Sequence, residues 1–102
     1  MRRPVVTICG STRFEQEIIE ARKQWTLRGY IVLGPELFGH GSDSMRVDDE
    51  LKQKLDQLHR DKIDMADIVY VVNPGGYIGT STLAEIKYAI SLGKDIQYME
   101  VI

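Results

Sequence analysis

Short apolar runs alternate with amphipathic segments along the chain, and this alternation is the feature that most restricts its fold. Four runs rich in β-branched and apolar residues have the length of strands: residues 5–9, 30–33, 67–72 and 95–101. Segments with helical periodicity lie between them, at about residues 12–28, 44–63 and 81–92. Strands that alternate with helices pair in parallel through right-handed crossovers. We therefore predict a three-layer, Rossmann-like (flavodoxin-like) α/β fold, with an open parallel sheet of about four strands and about three helices.

Small polar residues and glycines mark the predicted helix ends. Thr12 followed by Glu15 has the spacing of a capping box, which predicts that the first helix begins at Thr12. Ser44 is a suitable N-cap for the second helix. Gly29 and Gly93 follow the first and third helices, at positions where a left-handed residue commonly ends a helix.

Size and cysteine content indicate one domain in a reducing compartment. A chain of 102 residues has the size of a single domain, which we predict to span residues 1–102. A domain this short buries only about two-thirds of its unfolded surface, so we expect a homodimer or larger homo-oligomer. The single cysteine, Cys9, excludes an intrachain disulfide. The N-terminal segment lacks the apolar core of a secretory signal, and we expect a cytoplasmic location.

Charge and hydropathy exclude several classes of partner. The net charge of −2 and the scattered Lys and Arg residues offer no basic footprint for a nucleic acid polymer. No apolar run approaches the roughly 20 residues that cross a bilayer, so no membrane partner is expected. No group of His and Cys residues has the spacing of a metal site, so we predict no metal and no other cofactor. We expect a small-molecule ligand instead.

Three predicted loops leave the carboxyl ends of the strands, the edge at which parallel α/β sheets bind ligands. They span residues 10–13, 34–44 and 73–82 and hold most of the unusual residues of the chain. The middle loop is long for so small a domain. Its His40 can close over a ligand or lie as an ordinary surface histidine, and both interpretations stay open.

The first loop has the residues of a phosphate-binding turn. Gly10 permits a tight turn after the buried strand, and the following helix start offers free N–H groups to an anion. Ser11 and Thr12 add hydroxyl donors, and the guanidinium of Arg13 can bind two phosphate oxygens. The alternative interpretation is a helix cap with an exposed arginine.

The third loop is the most unusual segment of the chain. Three glycines and three hydroxyl residues precede a helix, an arrangement that forms an anion-binding concavity. The residues that we predict to bind substrate or phosphate there are Gly76, Tyr77, Gly79, Thr80 and Ser81. Tyr77 is suited to stacking on a nucleobase, and packing down onto the loop is the alternative.

Glu85 follows this loop within the first turn of the predicted third helix. A carboxylate at the carboxyl edge of the sheet, beside two anion-binding loops, can act as a nucleophile or stabilise an oxocarbenium ion. Thr82 and Glu85 also have the spacing of a capping box, which is a purely structural alternative.

Two motifs resemble those of the nucleoside 2-deoxyribosyltransferase-like superfamily, and in particular of its 2′-deoxynucleoside 5′-phosphate N-hydrolases. They are Cys9-Gly10-Ser11-x-Arg13 and the combination of Ala66-Asp67-Ile68-Val69 with Glu85-Ile86-x-Tyr88-Ala89. The resemblance implies that Glu85 attacks the anomeric carbon to form a glycosyl-enzyme intermediate, which water or a second base then resolves. It also implies that residues 10, 11 and 13, with residues 79–81, hold the 5′-phosphate.

Two positions depart from the family pattern. The family aspartate that protonates or orients the leaving base falls at His59, while Asp61 lies two residues later and roughly 200° around the helix. His59 has a suitable unperturbed pKa for a general acid, and an exposed helix residue is the alternative. The predicted catalytic set is therefore Glu85, His59 and Asp61. The family tyrosine on the first strand falls at Thr7, and these departures fit a divergent branch.

Two further hypotheses stay open. Residues 74–80, Pro-Gly-Gly-Tyr-x-Gly-Thr, resemble the P-G-G-x-G-T-x-x-E motif of cytokinin-activating nucleotide phosphoribohydrolases, with one residue inserted. Those enzymes also release a base from a nucleotide. The loss of the family tyrosine and aspartate instead favours a non-catalytic nucleotide-binding module. For Asp67, at the opposite edge of the sheet, we expect a cap or turn role.

Overall fold

The computed structural model describes residues 2–37 and 48–101. Nine elements follow one another in these ranges: β1 (Val5–Cys9), a first 3-10 turn (Thr12–Phe14), α1 (Glu15–Leu27), β2 (Ile31–Leu33), α2 (Asp49–Asp64), β3 (Ile68–Val71), a second 3-10 turn (Pro74–Gly76), α3 (Thr80–Ser91) and β4 (Asp95–Tyr98). This element order confirms the predicted alternation of strands and helices.

The four strands form one parallel sheet in the order β2-β1-β3-β4. The fold class that we predicted is therefore confirmed. From β1 the chain crosses to β2 on one side, and from β2 it crosses back to β3 on the other side of β1. The connections after β1 and β3 therefore diverge, and a reversal of this kind opens a crevice at the carboxyl ends of the strands.

Alternate residues of β1 pack into two different layers of the molecule. Ile8 lies in a buried cluster with Ile18 of α1. Cys9 lies in a second cluster with Ile63 of α2 and Ile86 of α3. Because neighbouring strand residues point to opposite faces, α1 covers one face of the sheet while α2 and α3 cover the other. Cys9, the last residue of β1, therefore faces the two helices that follow the second and third strands.

The helix starts differ in detail from those predicted. Ser11, and not Thr12, caps the first 3-10 turn, since its Oγ accepts a hydrogen bond from the Arg13 N–H at 3.3 Å. The α-helix proper begins at Glu15 because the backbone of Phe14 is not helical. Asp48 caps α2 by accepting from the Leu51 N–H at 2.8 Å; the predicted cap, residue 44, lies outside the described residues. None of the described helices is long and apolar enough to cross a bilayer.

The amino edge of the sheet is held by one exposed carboxylate. Asp67, just before β3, accepts a hydrogen bond from the Val5 N–H at 2.7 Å and two from the Arg2 guanidinium at 2.9 and 3.0 Å. These hydrogen bonds, first that of Arg2 and then that of the Val5 backbone, lower the pKa of Asp67. As expected, Asp67 has a structural role: it binds the backbone at the start of β1 and the side chain of Arg2.

A candidate active site at the carboxyl edge of the sheet

A cavity of about 610 Å³ lies at the carboxyl edge of the sheet, within the usual size of small-molecule sites. The first turn, the segment after β2, α2, the third loop and α3 all contribute to its wall. The lining residues are Gly10, Ser11, Thr12, Glu15, Pro35, Glu36, Leu37, Lys52, Leu55, Asp56, Leu58, His59, Lys62, Tyr77, Gly79, Thr80, Ser81, Thr82 and Glu85. The first loop, the third loop and Glu85 therefore share one cavity, as the sequence predicted.

Three side chains from three elements meet beside this cavity: Cys9 of β1, His59 of α2 and Glu85 of α3. The Cys9 Sγ lies 3.3 Å from the His59 Nε2, and this nitrogen lies 3.5 Å from Oε1 of Glu85. Cys9 is fully buried, whereas the side chains of His59 and Glu85 are 8% and 19% exposed. We call these three residues the Cys-His-Glu cluster.

Helical spacing explains why His59 and Glu85 face the sheet. His59 and Ile63 are four residues apart on α2, and both are buried; residues at this spacing share one face of a helix. On α3, Glu85 follows Thr82 by three residues and precedes Ala89 by four, and Thr82 and Ala89 are buried. Each helix therefore buries one stripe against the sheet, and the end of that stripe nearest the carboxyl edge carries the polar residue.

The capping-box interpretation of Glu85 is wrong. Helix α3 begins at Thr80 with Gly79 as its N-cap, and its start carries no side-chain cap. Thr82 is consequently the third residue of the helix, and Glu85 lies in the second turn instead of the first. A carboxylate there is too far along the helix to satisfy the free N–H groups of the first turn.

Burial dominates the electrostatics of Glu85. It raises the pKa of the carboxyl group from an ordinary value near 4.5 to about 7, because a desolvated group resists ionisation. The hydrogen bond from Cys9 lowers this pKa, the charge of Asp56 raises it, and the charges of Lys52 and Arg60 lower it. Near neutral pH the group can thus be present as acid or as carboxylate.

The same burial keeps the partners of Glu85 uncharged. It lowers the pKa of His59 to about 4; Lys62 adds to this effect and Asp56 opposes it. The pKa of the Cys9 thiol is raised well above its usual range by burial and by Glu85. The 3.5 Å contact between His59 and Glu85 is therefore made by a neutral imidazole and is not an ion pair. Nδ1 of His59 is buried with no hydrogen-bond partner.

Packing of the first turn against the neighbouring strand requires glycine at position 10. A Cβ on Gly10 would lie 2.9 Å from the carbonyl oxygen of Val72, closer than such atoms approach. Any larger residue would push the turn away from the end of β3. Ser11 and Thr12 follow at the cavity wall, so the close approach brings two hydroxyl residues to the cavity.

Arg13 stacks on Tyr77 and does not line the cavity. The guanidinium carbon lies 4.4 Å from the centre of the Tyr77 ring, and the edge of that ring meets Phe14 with the two centroids 5.8 Å apart. Tyr77 itself lines the cavity and is 42% exposed. The contact joins the first and third loops through a cation–π interaction. Tyr77 thus packs on the first loop, as one alternative expected, while part of its ring stays exposed.

The segment after β4 braces the third loop, a feature that the sequence interpretation missed. The predicted strand over 95–101 is too long, since β4 ends at Tyr98. Asn73 donates its side-chain amide to the Glu100 carbonyl at 2.9 Å and accepts from the Glu100 N–H at 2.8 Å. The Glu100 carboxylate accepts from the Gly75 N–H at 2.6 Å. Gly75 and Gly76 have φ of 66° and 79°, and neither lines the cavity.

Two further sequence candidates lie away from the cavity wall. Asp61 is exposed on α2 and accepts a hydrogen bond from Gln57 at 3.1 Å. Thr7 is buried, and its hydroxyl donates to the Lys62 carbonyl at 2.7 Å. His40 lies outside the described residues. The structure adds Asp56, three residues before His59, to the cavity wall. The sequence interpretation missed it, and its helical spacing from His59 is the signal that could have identified it.

No protein-family model matches the chain, and no curated protein matches it either. The resemblance to the deoxyribosyltransferase-like superfamily therefore depends on the motifs alone.

Proposed function

We propose that this chain cleaves the N-glycosidic bond of a nucleoside or nucleoside 5′-monophosphate, with the Glu85 carboxylate as nucleophile. One observation carries the proposal: Glu85 lines the same cavity as the hydroxyl-bearing turn after β1 and the uncapped start of α3. A nucleophile beside two groups suited to an anion is the arrangement needed to hold a phosphorylated sugar with its anomeric carbon near a carboxylate.

The proposed reaction has two steps. In the first, a Glu85 oxygen forms an ester with the anomeric carbon while the bond from that carbon to the base nitrogen breaks. The base departs with the bonding electrons and takes a proton from solvent. In the second, the oxygen of a water molecule, or the nitrogen of another base, attacks the anomeric carbon, loses its proton to solvent and releases the Glu85 carboxylate. The first acceptor makes the chain a hydrolase and the second a transferase.

His59 takes a positioning role in this proposal. A general acid must carry a proton that it can lose near neutral pH, and the low pKa of His59 leaves its imidazole neutral there. Its Nε2 instead contacts Glu85 at 3.5 Å, and in this role it holds the carboxylate between α2 and the end of β1. Asp61, exposed and bonded to Gln57, has no role in the proposed step.

The cavity wall carries groups that suit both the phosphate and the base of a nucleotide. Thr80, Ser81 and Thr82 lie in the first turn of α3, whose N–H groups have no side-chain cap and favour a phosphate. Apolar residues of the cavity wall and the exposed ring of Tyr77 suit a base: Leu37 after β2, and Leu55 and Leu58 of α2. A nucleoside monophosphate is accordingly the ligand with the best chemical match.

The test measures base release by chromatography for a panel of ribo- and deoxyribonucleosides and their monophosphates. Glu85→Gln should abolish release, by a factor of at least about a thousand, because an amide cannot form the ester. Glu17→Gln, an exposed glutamate of α1 outside the cavity, is the matched control and should keep the wild-type rate. Base release at the wild-type rate by Glu85→Gln would refute the mechanism.

The same panel separates the two other hypotheses. A strong preference for ribonucleotides would favour the phosphoribohydrolase hypothesis, whose motif includes the loop glycines. In the structure Gly75 binds Glu100 and not the cavity, which favours the deoxyribosyltransferase-like interpretation. Thermal stabilisation by nucleotides with no base release from any substrate would instead identify a binding module.

We further propose a cytoplasmic location and self-association. The one cysteine is buried as a free thiol, a state that suits a reducing compartment. On α3, Leu83 and Ile90 are 44% and 62% exposed, and residues seven apart lie on one side of a helix. A second copy of the chain is the expected cover for this face.

A further inference from the structure

We propose that the Cys-His-Glu cluster binds one Zn²⁺ ion, with Cys9 Sγ, His59 Nε2 and one Glu85 oxygen as ligands. The site itself is independent of the proposed function. Its consequence, reversible inhibition of base release, rests on that function, because zinc would occupy the oxygen that attacks the sugar.

The distances within the cluster match those of a tetrahedral zinc site. With Zn–S near 2.3 Å and Zn–N and Zn–O near 2.0–2.2 Å, neighbouring ligand atoms lie about 3.4–3.6 Å apart. The sulfur-to-nitrogen distance is 3.3 Å and the nitrogen-to-oxygen distance is 3.5 Å. All three ligand atoms lie within 4.8 Å of one another. Zinc binding would draw the Glu85 oxygen to about 3.6 Å from the sulfur.

The buried histidine is an independent observation that points to a ligand. The side chain of His59 is 8% exposed, and its Nε2 faces the sulfur and the carboxylate. The ring carries no strong hydrogen bond: its closest contact is to sulfur, a weak partner, and Nδ1 has no partner. A metal ion at Nε2 would give the ring the strong interaction that it lacks.

Charge balance also selects a divalent ion. A thiolate, a carboxylate and a neutral imidazole carry two negative charges, so one Zn²⁺ leaves a buried unit of zero net charge. Binding releases the thiol proton, and the carboxyl proton where it is present, to solvent. The mixture of sulfur, nitrogen and oxygen favours zinc over Mg²⁺ or Ca²⁺, which prefer oxygen ligands alone.

Two of the three ligands, His59 and Glu85, line the cavity, so a fourth coordination position would open towards it. Three protein ligands and one open position describe zinc sites that exchange ligands, in contrast to closed structural sites. The missing partner at Nδ1 weakens such a site by roughly 10–100-fold relative to one with an outer-shell acceptor. We therefore expect reversible binding that a chelator removes.

The first experiment titrates the chelator-treated, reduced chain with Co²⁺ and then displaces it with Zn²⁺. One Co²⁺ per chain should bind with the absorption bands of tetrahedral, thiolate-bound cobalt. Cys9→Ser, which keeps the side-chain size, should lose the thiolate band and weaken binding by more than the roughly 10–100-fold of an outer-shell loss. Glu17→Gln is again the matched control and should bind like the wild type. Absence of the thiolate band, or its presence in Cys9→Ser, would overturn the site.

A second measurement uses the wild-type chain and needs no variant. Cys9 is the single cysteine of the chain, so a disulfide-type thiol reagent reports on it alone. Zn²⁺ should slow this modification, and Mg²⁺ at equal concentration should not. Equal rates with both ions would also overturn the proposal.

The zinc site and the proposed function can fail separately. Cobalt binding without base release from any nucleotide would keep the metal site and remove the glycosidic function. Base release that is unchanged by Zn²⁺, together with no cobalt band, would remove the metal site and keep the function. Two results together would support both: Zn²⁺ inhibits base release by the wild type and a chelator reverses this inhibition, while Zn²⁺ leaves the rate of Cys9→Ser at that variant's own metal-free value.

Discussion

Two carboxylates at opposite edges of the parallel sheet, Asp67 and Glu85, lie in contrasting environments. At the amino edge Asp67 is exposed, and it binds the guanidinium of Arg2 and a backbone N–H. At the carboxyl edge Glu85 is mostly buried, beside a thiol and a neutral imidazole. Hydrogen bonds lower the pKa of Asp67, whereas burial raises the pKa of Glu85 to about 7.

Asp67 stabilises the fold through its own hydrogen bonds, whereas packing of the fold keeps Glu85 in a desolvated position. Asp67 is stable as a charge because water and three donors solvate it. Glu85 stays desolvated because packed helices surround it, and ionisation there costs free energy that the rest of the domain must supply. Strongly perturbed groups of this kind in a cleft are typical of functional sites.

The largest expected effect is on stability. Glu85→Gln should raise the free energy of unfolding above about pH 7 by up to about 3 kcal/mol, since a pKa raised from 4.5 to about 7 corresponds to that amount. The raised pKa means that the wild type loses stability as pH rises from about 4.5 to 7, while the amide does not. The gap should therefore vanish below about pH 4.5.

Urea unfolding of both proteins, free of metal, at a series of pH values measures this gap. Glu17→Gln is the control and should follow the wild type at every pH. A difference in the free energy of unfolding that stays constant with pH would contradict this prediction. It would show that the substitution changes stability through side-chain contacts and not through the charge of Glu85.

The next effect is kinetic and uses the same group. If the Glu85 carboxylate is the nucleophile, kcat/KM of the metal-free chain should rise with pH and level off above about 7, where the group is ionised. Between pH 5 and 8 the ionised fraction of a group with this pKa grows by about 90-fold. A rate that falls over this range would mean that Glu85 acts in its protonated form, as a general acid.

The smallest effect is expected at the amino edge. Asp67→Asn keeps an acceptor for the backbone N–H of Val5 but removes the charge that attracts Arg2, so the melting temperature should fall slightly near neutral pH. The lowered pKa means that this contribution is present above the ordinary value of 3.8 and lost as pH falls below it. Added salt should shrink the difference, because the pair is exposed.

The rate of base release is the deciding control for the comparison. Asp67→Asn should keep the wild-type kcat/KM, since Asp67 is at the edge of the sheet away from the cavity. Loss of activity in this variant with the fold intact would show that the two edges are coupled.

Local patterns were enough to predict most of the fold. Runs of β-branched residues identified the strands, and helical periodicity identified the three helical segments between them. Capping chemistry was less reliable, because several polar residues near each helix start compete for the same free N–H groups. The structure uses Ser11 where the pattern favoured Thr12, and it begins α3 one residue earlier than predicted.

For the site, the sequence predicted which loops and which glutamate lie together, and missed the neighbours of that glutamate. Cys9 counted only as a buried cysteine, and an exposed position was an open alternative for His59. Metal-site spacing was sought along the chain, whereas the Cys-His-Glu cluster joins residues 50 positions apart, Cys9 and His59, with a third from another helix. Arg13 was expected at the phosphate, and in the structure it stacks on Tyr77.

By itself the sequence determined the alternation of elements, their parallel pairing and the edge at which loop glycines and hydroxyl residues collect. These properties follow from side-chain periodicity and backbone chemistry, which act over a few residues. Only the tertiary structure decided that the thiol, the imidazole and the carboxyl group share one buried place. Burial and contact between distant elements set their protonation, because desolvation depends on everything packed around a group and not on its neighbours in the chain.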